Sequence, residues 1–162
     1  MTLKLVLMGV SGCGKSSIGA ALAQKLSIPF FDGDDYHSAQ NVAKMESGQP
    51  LTDEDRQSWL STLNALIHQK PALVLACSAL KKQYREQLTT GNPELKFLYL
   101  HGDFDTIWQR LSARDNHYFK GKTMLESQFQ TLEAPTEQEA ITLDIRLSPN
   151  EIIEQAVKAL EK

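Results

Sequence analysis

The sequence predicts an α/β protein in which a five-stranded parallel sheet carries helices on both faces. Five apolar, strand-like runs alternate with helical patterns, at residues 3–8, 29–32, 72–77, 95–100 and 141–145. Such alternation is typical of parallel sheets, because each crossover between parallel strands needs a helix-length connection. Ligands bind beyond the carboxyl ends of such strands, so polar residues that follow each run are the first candidates for a site. The 162 residues fit a single domain, residues 1–162.

A glycine-rich stretch joins the first run to the first helical pattern and matches the phosphate-loop pattern G-x-x-x-x-G-K-[ST]. Its residues are Gly9, Val10, Ser11, Gly12, Cys13, Gly14, Lys15 and Ser16, and Ser17 continues into the helix. The glycines let backbone N–H groups converge on an anion, and the N-terminus of the following helix adds partial positive charge. Lys15 adds a full charge near the β- and γ-phosphates, while the Ser16 hydroxyl is a ligand for Mg²⁺. We therefore expect a nucleoside triphosphate such as ATP to bind here with Mg²⁺.

Two carboxylates follow the second run. Asp32 and Asp34 are two residues apart, and in an extended segment their side chains project to the same side. Asp32 can serve Mg²⁺, and Asp34 can accept a hydrogen bond or a proton from a hydroxyl nucleophile. A solvated acidic turn is the alternative, but the position beside the phosphate loop favours the functional interpretation.

Basic side chains also follow predicted strands. Arg56 lies in the acidic first turn of a predicted helix, where a cation opposes the helix dipole. Either a substrate anion or an ion pair with a neighbouring acid explains it. Lys81 and Arg85 lie one helical turn apart after the third run, and Arg110 and Arg114 form a second such pair. Like charges at this spacing cost only about 0.2–0.5 kcal/mol, so a single pair fits a solvated face, but two pairs near a phosphate loop favour anion binding.

Residues 115–122 interrupt the helical pattern before a helix that contains Met124, Leu125, Gln128 and Phe129. We expect a small lid around residues 114–123. If it carries Arg114, it can close over the triphosphate, exclude water and neutralise charge during transfer.

Composition and charge exclude several classes of protein. The formal net charge of -3 argues against a broad nucleic-acid surface. The sequence has no apolar run near the ~18 residues of a membrane span and no signal-peptide layout, so we expect a cytoplasmic protein without a membrane partner.

Cys13 and Cys77 are too few for a disulfide framework. Helix N–H groups could make Cys13 oxidisable, but inert packing is the favoured interpretation for both thiols.

The motifs form blocks that are spread over nearly the whole chain. They are residues 8–16; Asp32-Gly33-Asp34 with His37; Asn41, Lys44-Met45, Gly48, Pro50-Leu51, Asp53, Asp55-Arg56 and Trp59-Leu60; Cys77-Ser78-Ala79-Leu80-Lys81 with Tyr84-Arg85; and Gly102-Asp103-Phe104 through Arg110, Arg114, His117 and Ser127-Gln128-Phe129. Together they resemble the gluconate kinases (gluconokinases), a family of nucleoside-monophosphate-kinase-like P-loop phosphotransferases. The phosphate loop alone indicates only a superfamily, whereas the combined blocks are highly specific.

The resemblance implies ATP-dependent phosphorylation of D-gluconate at its 6-hydroxyl. It also implies a five-stranded P-loop fold with a lid, in a protein that is often a homodimer. The implied catalytic residues are Lys15, Asp34 and Arg114, with Asp34 holding the acceptor hydroxyl. The implied substrate-binding residues are Asp34, His37, Arg56, Lys81, Arg85, His117 and Gln128. By analogy of fold, Arg110 and Pro149 would flank the adenine. We expect Lys44 to order its loop rather than to contact a ligand.

Other functions stay open at this point. A kinase for another small hydroxy acid such as shikimate, or for a nucleoside monophosphate, fits the same loop. A GTP-dependent switch is disfavoured because the sequence contains no Asn-Lys-x-Asp motif. A nucleotide-binding module without catalysis would not need both an aspartate pair and a basic lid.

Overall fold

The computed structural model describes residues 3–49, 51–114 and 118–161, with the backbone alone described for residues 114 and 118–121. Its strands are β1 (Leu3–Met8), β2 (Phe30–Asp32), β3 (Ala72–Ala76), β4 (Leu95–His101) and β5 (Ala140–Asp144). They form one parallel sheet in the order β2-β3-β1-β4-β5. The connections after β1 and β3 leave in opposite directions, toward β2 and β4. The loop after β1 therefore lies at a switch point, where α/β sheets bind ligands.

Helices connect and cover the strands. They are α1 (Lys15–Leu26), α2 (Ala39–Glu46), α3 (Asp53–Gln69), α4 (Lys82–Thr89), α5 (Phe104–Arg114), α6 (Tyr118–Thr131) and α7 (Pro149–Leu160), and a short 3-10 helix, Gly33–Tyr36, follows β2. The start of α3 is fixed by a capping box in which Thr52 and Asp55 exchange side chain to backbone hydrogen bonds. In the described ranges, no helix is long and apolar enough to cross a membrane.

The sheet separates two apolar cores. Leu5 and Leu7 of β1 pack with residues from α1, α5, α6 and α7 on one face. Val6 and Met8 pack with residues from α3 and α4 on the other face. All four side chains are fully buried, as expected when successive side chains of a strand point to opposite faces and both faces are covered. This double cover fixes the carboxyl end of β1 and hence the start of the phosphate loop.

The predicted fold class is confirmed, and each strand lies within one residue of its predicted bounds. One boundary is wrong. The interruption predicted for residues 115–122 does not reach its predicted end, because α6 begins at Tyr118; residues 115–117 lie outside the described ranges. Gly121 weakens the helical pattern by about 1 kcal/mol in propensity, and tertiary packing such as the burial of Leu125 overrides that preference.

Candidate active site

The phosphate loop follows β1 and ends where α1 begins. Gly12 and Gly14 have φ values of 82° and 95°, in the left-handed region that favours glycine. A Cβ atom on Gly9 would lie 2.9 Å from the carbonyl oxygen of Leu100. Gly14 is the N-cap of α1 and has no side chain to cap the helix. The first N–H groups of α1 are therefore available to an anion.

The first two residues of α1 place a cation and a hydroxyl at this loop. Lys15 Nζ donates hydrogen bonds to the carbonyl oxygens of Gly9 at 2.9 Å and Val10 at 3.1 Å, so the ammonium lies over the loop. Ser16 Oγ donates to Asp32 Oδ2 at 2.8 Å. A hydroxyl and a carboxylate are oxygen ligands of the kind that Mg²⁺ takes when it binds chiefly through phosphates and water. The donor set therefore fits Mg²⁺, although no cluster of three or more His, Cys, Asp or Glu suited to a metal is found in the described part of the chain.

Asp34 follows Asp32 at the carboxyl end of β2. Asp32 Oδ1 accepts the N–H of Asp34 at 3.0 Å and so starts the 3-10 helix. Partial burial by the surrounding walls raises the pKa of the Asp34 carboxyl, and the charge of Lys15 opposes that shift. The Asp34 side chain is nevertheless 76% exposed. Because water reaches the carboxyl, its oxygens are free to accept a hydrogen bond from a substrate hydroxyl.

His37 is a neutral ring that faces Asp34. Its ring stacks on Trp59 with centroids 4.2 Å apart and an interplanar angle of 16°. Trp59 is fixed in turn, since its Nε1 donates to the carbonyl oxygen of Gly33 at 2.7 Å. Burial, and then the charge of Arg56, lowers the pKa of His37 to about 4. The imidazole therefore stays neutral at physiological pH and contributes hydrogen bonds rather than charge.

Arg56 approaches from the first turn of α3. Its Nη1 donates to the carbonyl oxygen of Leu51 at 2.9 Å and to the Tyr84 hydroxyl at 3.0 Å. Its guanidinium carbon lies 5.3 Å from the centroid of the Tyr84 ring, within the range of a cation–π contact. These contacts fix the orientation of the guanidinium. The Leu51 carbonyl and the Tyr84 hydroxyl are both uncharged, so they do not neutralise the positive charge of Arg56.

The acids beside Arg56 are engaged by other cations. Asp53 pairs with Lys81 at 2.8 Å and accepts a short hydrogen bond from the Tyr84 hydroxyl. Asp55 pairs with Lys44 at 2.6 Å. Both acids therefore have partners other than Arg56, and a substrate anion stays the prediction for Arg56. Lys44 contacts the first turn of α3 through its pair with Asp55, and its expected role in ordering its loop stays a prediction.

A cleft of about 90 Å³ brings the candidate donor and acceptor sides together. It is lined by Ser11, Lys15, Asp34, His37, Met45, Leu51, Arg56, Trp59, Ser78, Met124, Ser127, Gln128 and Thr131. Gln128 of α6 closes it on one side, since its Oε1 accepts the Ser11 N–H at 2.6 Å and its Nε2 donates to Ser11 Oγ at 2.8 Å. The volume is below the roughly 300 Å³ of typical small-molecule pockets.

The structure does not bring Lys81 or Arg85 into this cleft, contrary to the prediction of a basic anion site. Lys81 is the N-cap of α4 and binds Asp53. Arg85 is buried, with 2% of its side chain exposed, and its Nε and Nη2 bind the Glu139 carboxylate at 3.0 and 3.1 Å. Both cations have carboxylate partners more than 25 residues away in the chain, which helical spacing could not reveal.

Of the remaining predicted residues, the structure describes the surroundings of Arg110, Pro149 and Ser17. Arg110 Nη2 donates to the carbonyl oxygen of Ile145 at 2.7 Å, which brings it to the connection where Pro149 opens α7. Arg114 is the last residue of α5, and its side chain is outside the described set, as is all of His117. Ser17 is exposed in the first turn of α1.

Both cysteines are buried packing residues. Burial raises the pKa of Cys13, and it raises the pKa of Cys77 to about 12. The lowered pKa expected for Cys13 at a helix N-terminus is therefore not found, because burial outweighs the effect of the nearby Lys15 charge.

The sequence patterns predict no site role for three residues that fix the positions of side chains in the cleft. Trp59 supports His37, Tyr84 aims Arg56, and the buried Asn41 contacts His37. Trp59 and Tyr84 have the pattern of core residues, so helical periodicity hides their polar contacts. Asn41 carries no signal in the sequence, because its burial and its need for hydrogen-bond partners are seen only in the fold.

Comparison with known proteins agrees with this geometry. Residues 11–161 match the family described as shikimate kinase. The thermoresistant gluconokinase of Escherichia coli (strain K12) is 44% identical over 163 residues, covering 97% of this chain and 93% of that protein. The crystal structure of a gluconokinase from Sinorhizobium meliloti 1021 superposes with a TM-score of 0.92 at 37% identity, covering 99% and 92% of the two chains. A shikimate kinase from Bacteroides thetaiotaomicron, with a TM-score of 0.69 and 19% identity, shares the fold.

A phosphate loop at the switch point of a parallel sheet, facing an exposed aspartate and an aimed arginine across one cleft, defines a P-loop kinase of small molecules. Its relatives at 37–44% identity over nearly their full length are gluconokinases. The chain belongs to the shikimate kinase family of P-loop kinases and, within it, to the gluconokinases.

Proposed function

We propose that this protein transfers the γ-phosphoryl group of ATP to the 6-hydroxyl of D-gluconate, giving 6-phospho-D-gluconate. The observation that carries the proposal is the cleft itself, which is lined by Lys15 of the phosphate loop, Asp34 of the β2 edge and Arg56. A donor cation, an acceptor base and a carboxylate-binding cation are the groups that phosphorylation of a sugar acid needs.

On the donor side, the N–H groups of residues 9–17 surround the triphosphate and Lys15 moves from its own loop carbonyls to the β- and γ-phosphates. Ser16 and Asp32 would hold Mg²⁺, which neutralises phosphate charge when bound. Arg110 and Pro149 would flank the adenine. Arg114, within a lid at residues 114–123, would add positive charge over the transferred group.

On the acceptor side, Asp34 orients the 6-hydroxyl for in-line attack and accepts its proton. His37, neutral beside it, supplies a second hydrogen bond, and Arg56 binds the gluconate carboxylate through the nitrogen atoms that face the cleft. Gln128 borders both substrates. Since phosphoryl transfer depends on positioning and electrostatics, loss of any of these groups should lower turnover more than stability.

A coupled ADP-release assay over gluconate, shikimate, glycerate and nucleoside monophosphates tests the proposal. We expect acceleration with gluconate alone, and Asp34→Asn as the matched control should abolish it. Coupling to 6-phosphogluconate dehydrogenase tests the position of transfer, because only the 6-phosphate yields NADPH. Acceleration by shikimate and not by gluconate would replace the proposal with the second candidate activity, which the more distant likeness to shikimate kinases suggests.

We also propose a cytoplasmic protein that acts on a small molecule and binds neither nucleic acid nor membrane. The net charge of -3 supports this, and cell fractionation would contradict it by finding the protein with membranes. A homodimer is proposed from the family resemblance alone. Light scattering at several concentrations measures it directly, and a constant mass of 18.1 kDa would exclude it.

A further inference from the structure

Asn41 is one of few buried polar side chains, being 5% exposed, and its amide lies between two segments of the site. Its Nδ2 donates to the backbone carbonyl of Asp55 at 2.8 Å and lies 3.3 Å from Nδ1 of His37. A backbone carbonyl only accepts hydrogen bonds, so the atom that faces it is the amide nitrogen, which has two hydrogens. Its second hydrogen therefore points to His37 Nδ1. In a neutral imidazole that accepts at Nδ1, the ring hydrogen is on Nε2.

The position of that hydrogen matters because Nε2 faces Asp34. The distance from His37 Nε2 to Asp34 Oδ1 is 3.9 Å, too long for a direct hydrogen bond. A hydroxyl oxygen can lie about 2.8 Å from both atoms, donating to Oδ1 and accepting from Nε2–H. A hydroxyl has a single hydrogen, so it can serve both atoms only if one of them is a donor. With the hydrogen on Nδ1 instead, Asp34 and His37 would both be acceptors, and one bond would be lost.

We propose that Asn41 is a positioning residue that fixes His37 as an Nε2–H donor, so that Asp34 and His37 together bind one hydroxyl of the acceptor. Asn41 itself does not line the cleft. Its effect passes through His37, whose ring plane is held by the stack on Trp59. The assignment of this hydroxyl to a sugar acid rests on the function proposed above, but the state of the ring does not.

Burial, and then the charge of Arg56, keeps this donor neutral against the opposing charge of Asp34. Arg56 of α3 faces the ring, the carboxylate of Asp34 lies across from Nε2, and Lys15 faces the same cleft from α1. Lys44 and Asp55 form an ion pair with each other beside Asn41. A buried ring next to Arg56 does not take up a proton at neutral pH, so the choice between the two neutral tautomers is left to Asn41.

Nitrogen-15 NMR of the protein without nucleotide tests the tautomer directly. Long-range correlation spectra separate the ring nitrogen that carries hydrogen from the one that does not, and a His37→Gln spectrum assigns the signals among the four histidines. We expect hydrogen on Nε2 near pH 7. Hydrogen on Nδ1 would overturn the proposal whatever the substrate is, and this result does not depend on gluconate phosphorylation.

A double-mutant cycle tests the consequence for activity. Asn41→Asp presents a carboxylate that can only accept, so it favours hydrogen on Nδ1, and we expect kcat/KM for gluconate to fall about tenfold or more. His37→Gln replaces the ring with an amide that has no tautomers. In that background, Asn41→Asp should lower kcat/KM less than about twofold, because only its structural contact with Asp55 is lost. Equal losses in both backgrounds would show a purely structural role and overturn the proposal.

Asn64→Asp is the matched control. Asn64 Nδ2 also donates to backbone carbonyls, those of Gln87, Leu88 and Thr90, but at the far end of α4. We expect it to lower stability and to leave kcat/KM unchanged. If Asn41→Asp does not fold, the wild-type NMR spectrum still decides the tautomer. If the wild-type protein does not phosphorylate gluconate, the proposed function fails while the tautomer assignment stands or falls on its spectrum.

Discussion

Substitution of Arg85 distinguishes two roles for a basic residue near a phosphate loop, substrate binding and structural support. The first role predicts a change in KM, and the second predicts a change in stability. A substrate-binding arginine should raise the KM for gluconate when removed and leave stability unchanged. The structure instead buries the guanidinium, which binds Glu139 through two nitrogens and donates to the carbonyl oxygens of Ala79 and Glu133, both at 2.8 Å. We therefore expect the loss to appear in the free energy of unfolding.

The size of that loss follows from the partners. Removing one member of a buried, hydrogen-bonded ion pair costs about 3–5 kcal/mol, because the other charge and two carbonyls lose their partner. For Arg85→Met we expect a loss in that range, which lowers the folded-to-unfolded ratio by at least about 150-fold. Glu139 is 22% exposed, so Glu139→Gln keeps the shape, leaves the other bonds of Arg85 in place and should cost only about 1–2 kcal/mol.

Urea unfolding measures the free energy of unfolding of both variants. Glu139→Gln should stay folded and keep the hydrogen bond between Arg85 and Ala79, so steady-state kinetics on this variant measures KM. For both variants we expect the slope of the unfolding free energy against urea concentration to be unchanged and the midpoint of unfolding to be lower. For Glu139→Gln we expect a KM for gluconate within about twofold of wild type. An unfolding free energy of Arg85→Met within about 1 kcal/mol of wild type, together with a raised KM for Glu139→Gln, would refute the reasoning and return Arg85 to the substrate site.

Three further predictions concern the cleft. Lys15→Met should lower kcat/KM by about a hundredfold or more and cost only about 1–3 kcal/mol of unfolding free energy, since Lys15 makes two hydrogen bonds to half-buried loop carbonyls; a loss of stability with kcat/KM unchanged would contradict this. Ser16→Ala should raise the Mg²⁺ concentration at half-maximal rate, which a Mg²⁺ titration at saturating ATP measures, and Ser17→Ala is its control. The lowered pKa of His37, about 4 against about 6.5 unfolded, makes the unfolded chain bind more protons between these values. Stability should therefore be complete above about pH 6.5 and fall by about 2 kcal/mol on going from about pH 7 to pH 5, and a His37→Gln variant should lack that part of the loss.

The fold and the donor half of the site could be predicted from the sequence because they are local. The phosphate loop is eight consecutive residues whose glycines and lysine act through backbone geometry, and the strand that presents it is a continuous apolar run. The capping box at Thr52 and Asp55 is likewise read from residues three apart. In each case, the residues that determine the structure are neighbours in the chain, so pattern and spacing suffice.

The acceptor half could be predicted only in outline because its contacts are long-range. Arg56 and Lys81 look alike in the sequence, as basic residues near the start of a helix. What distinguishes them is that Asp53, 28 residues from Lys81, binds the lysine, while the Tyr84 hydroxyl turns Arg56 toward the cleft. Spacing within one helix carries no information on such pairs, and the register of α3 against α4 decides which cation is left for a ligand.

Three of the groups that would hold the triphosphate and Mg²⁺ have internal partners in this structure, while the first N–H groups of α1 are available. Lys15 binds two loop carbonyls, Ser16 binds Asp32, and the Ser11 N–H is occupied by Gln128. Each of these bonds can be exchanged for a bond to a charged phosphate or to Mg²⁺, and bonds to charged groups are the stronger kind. We therefore expect ATP binding to replace the Gln128 bond at the Ser11 N–H and so to weaken the contact between α6 and the phosphate loop.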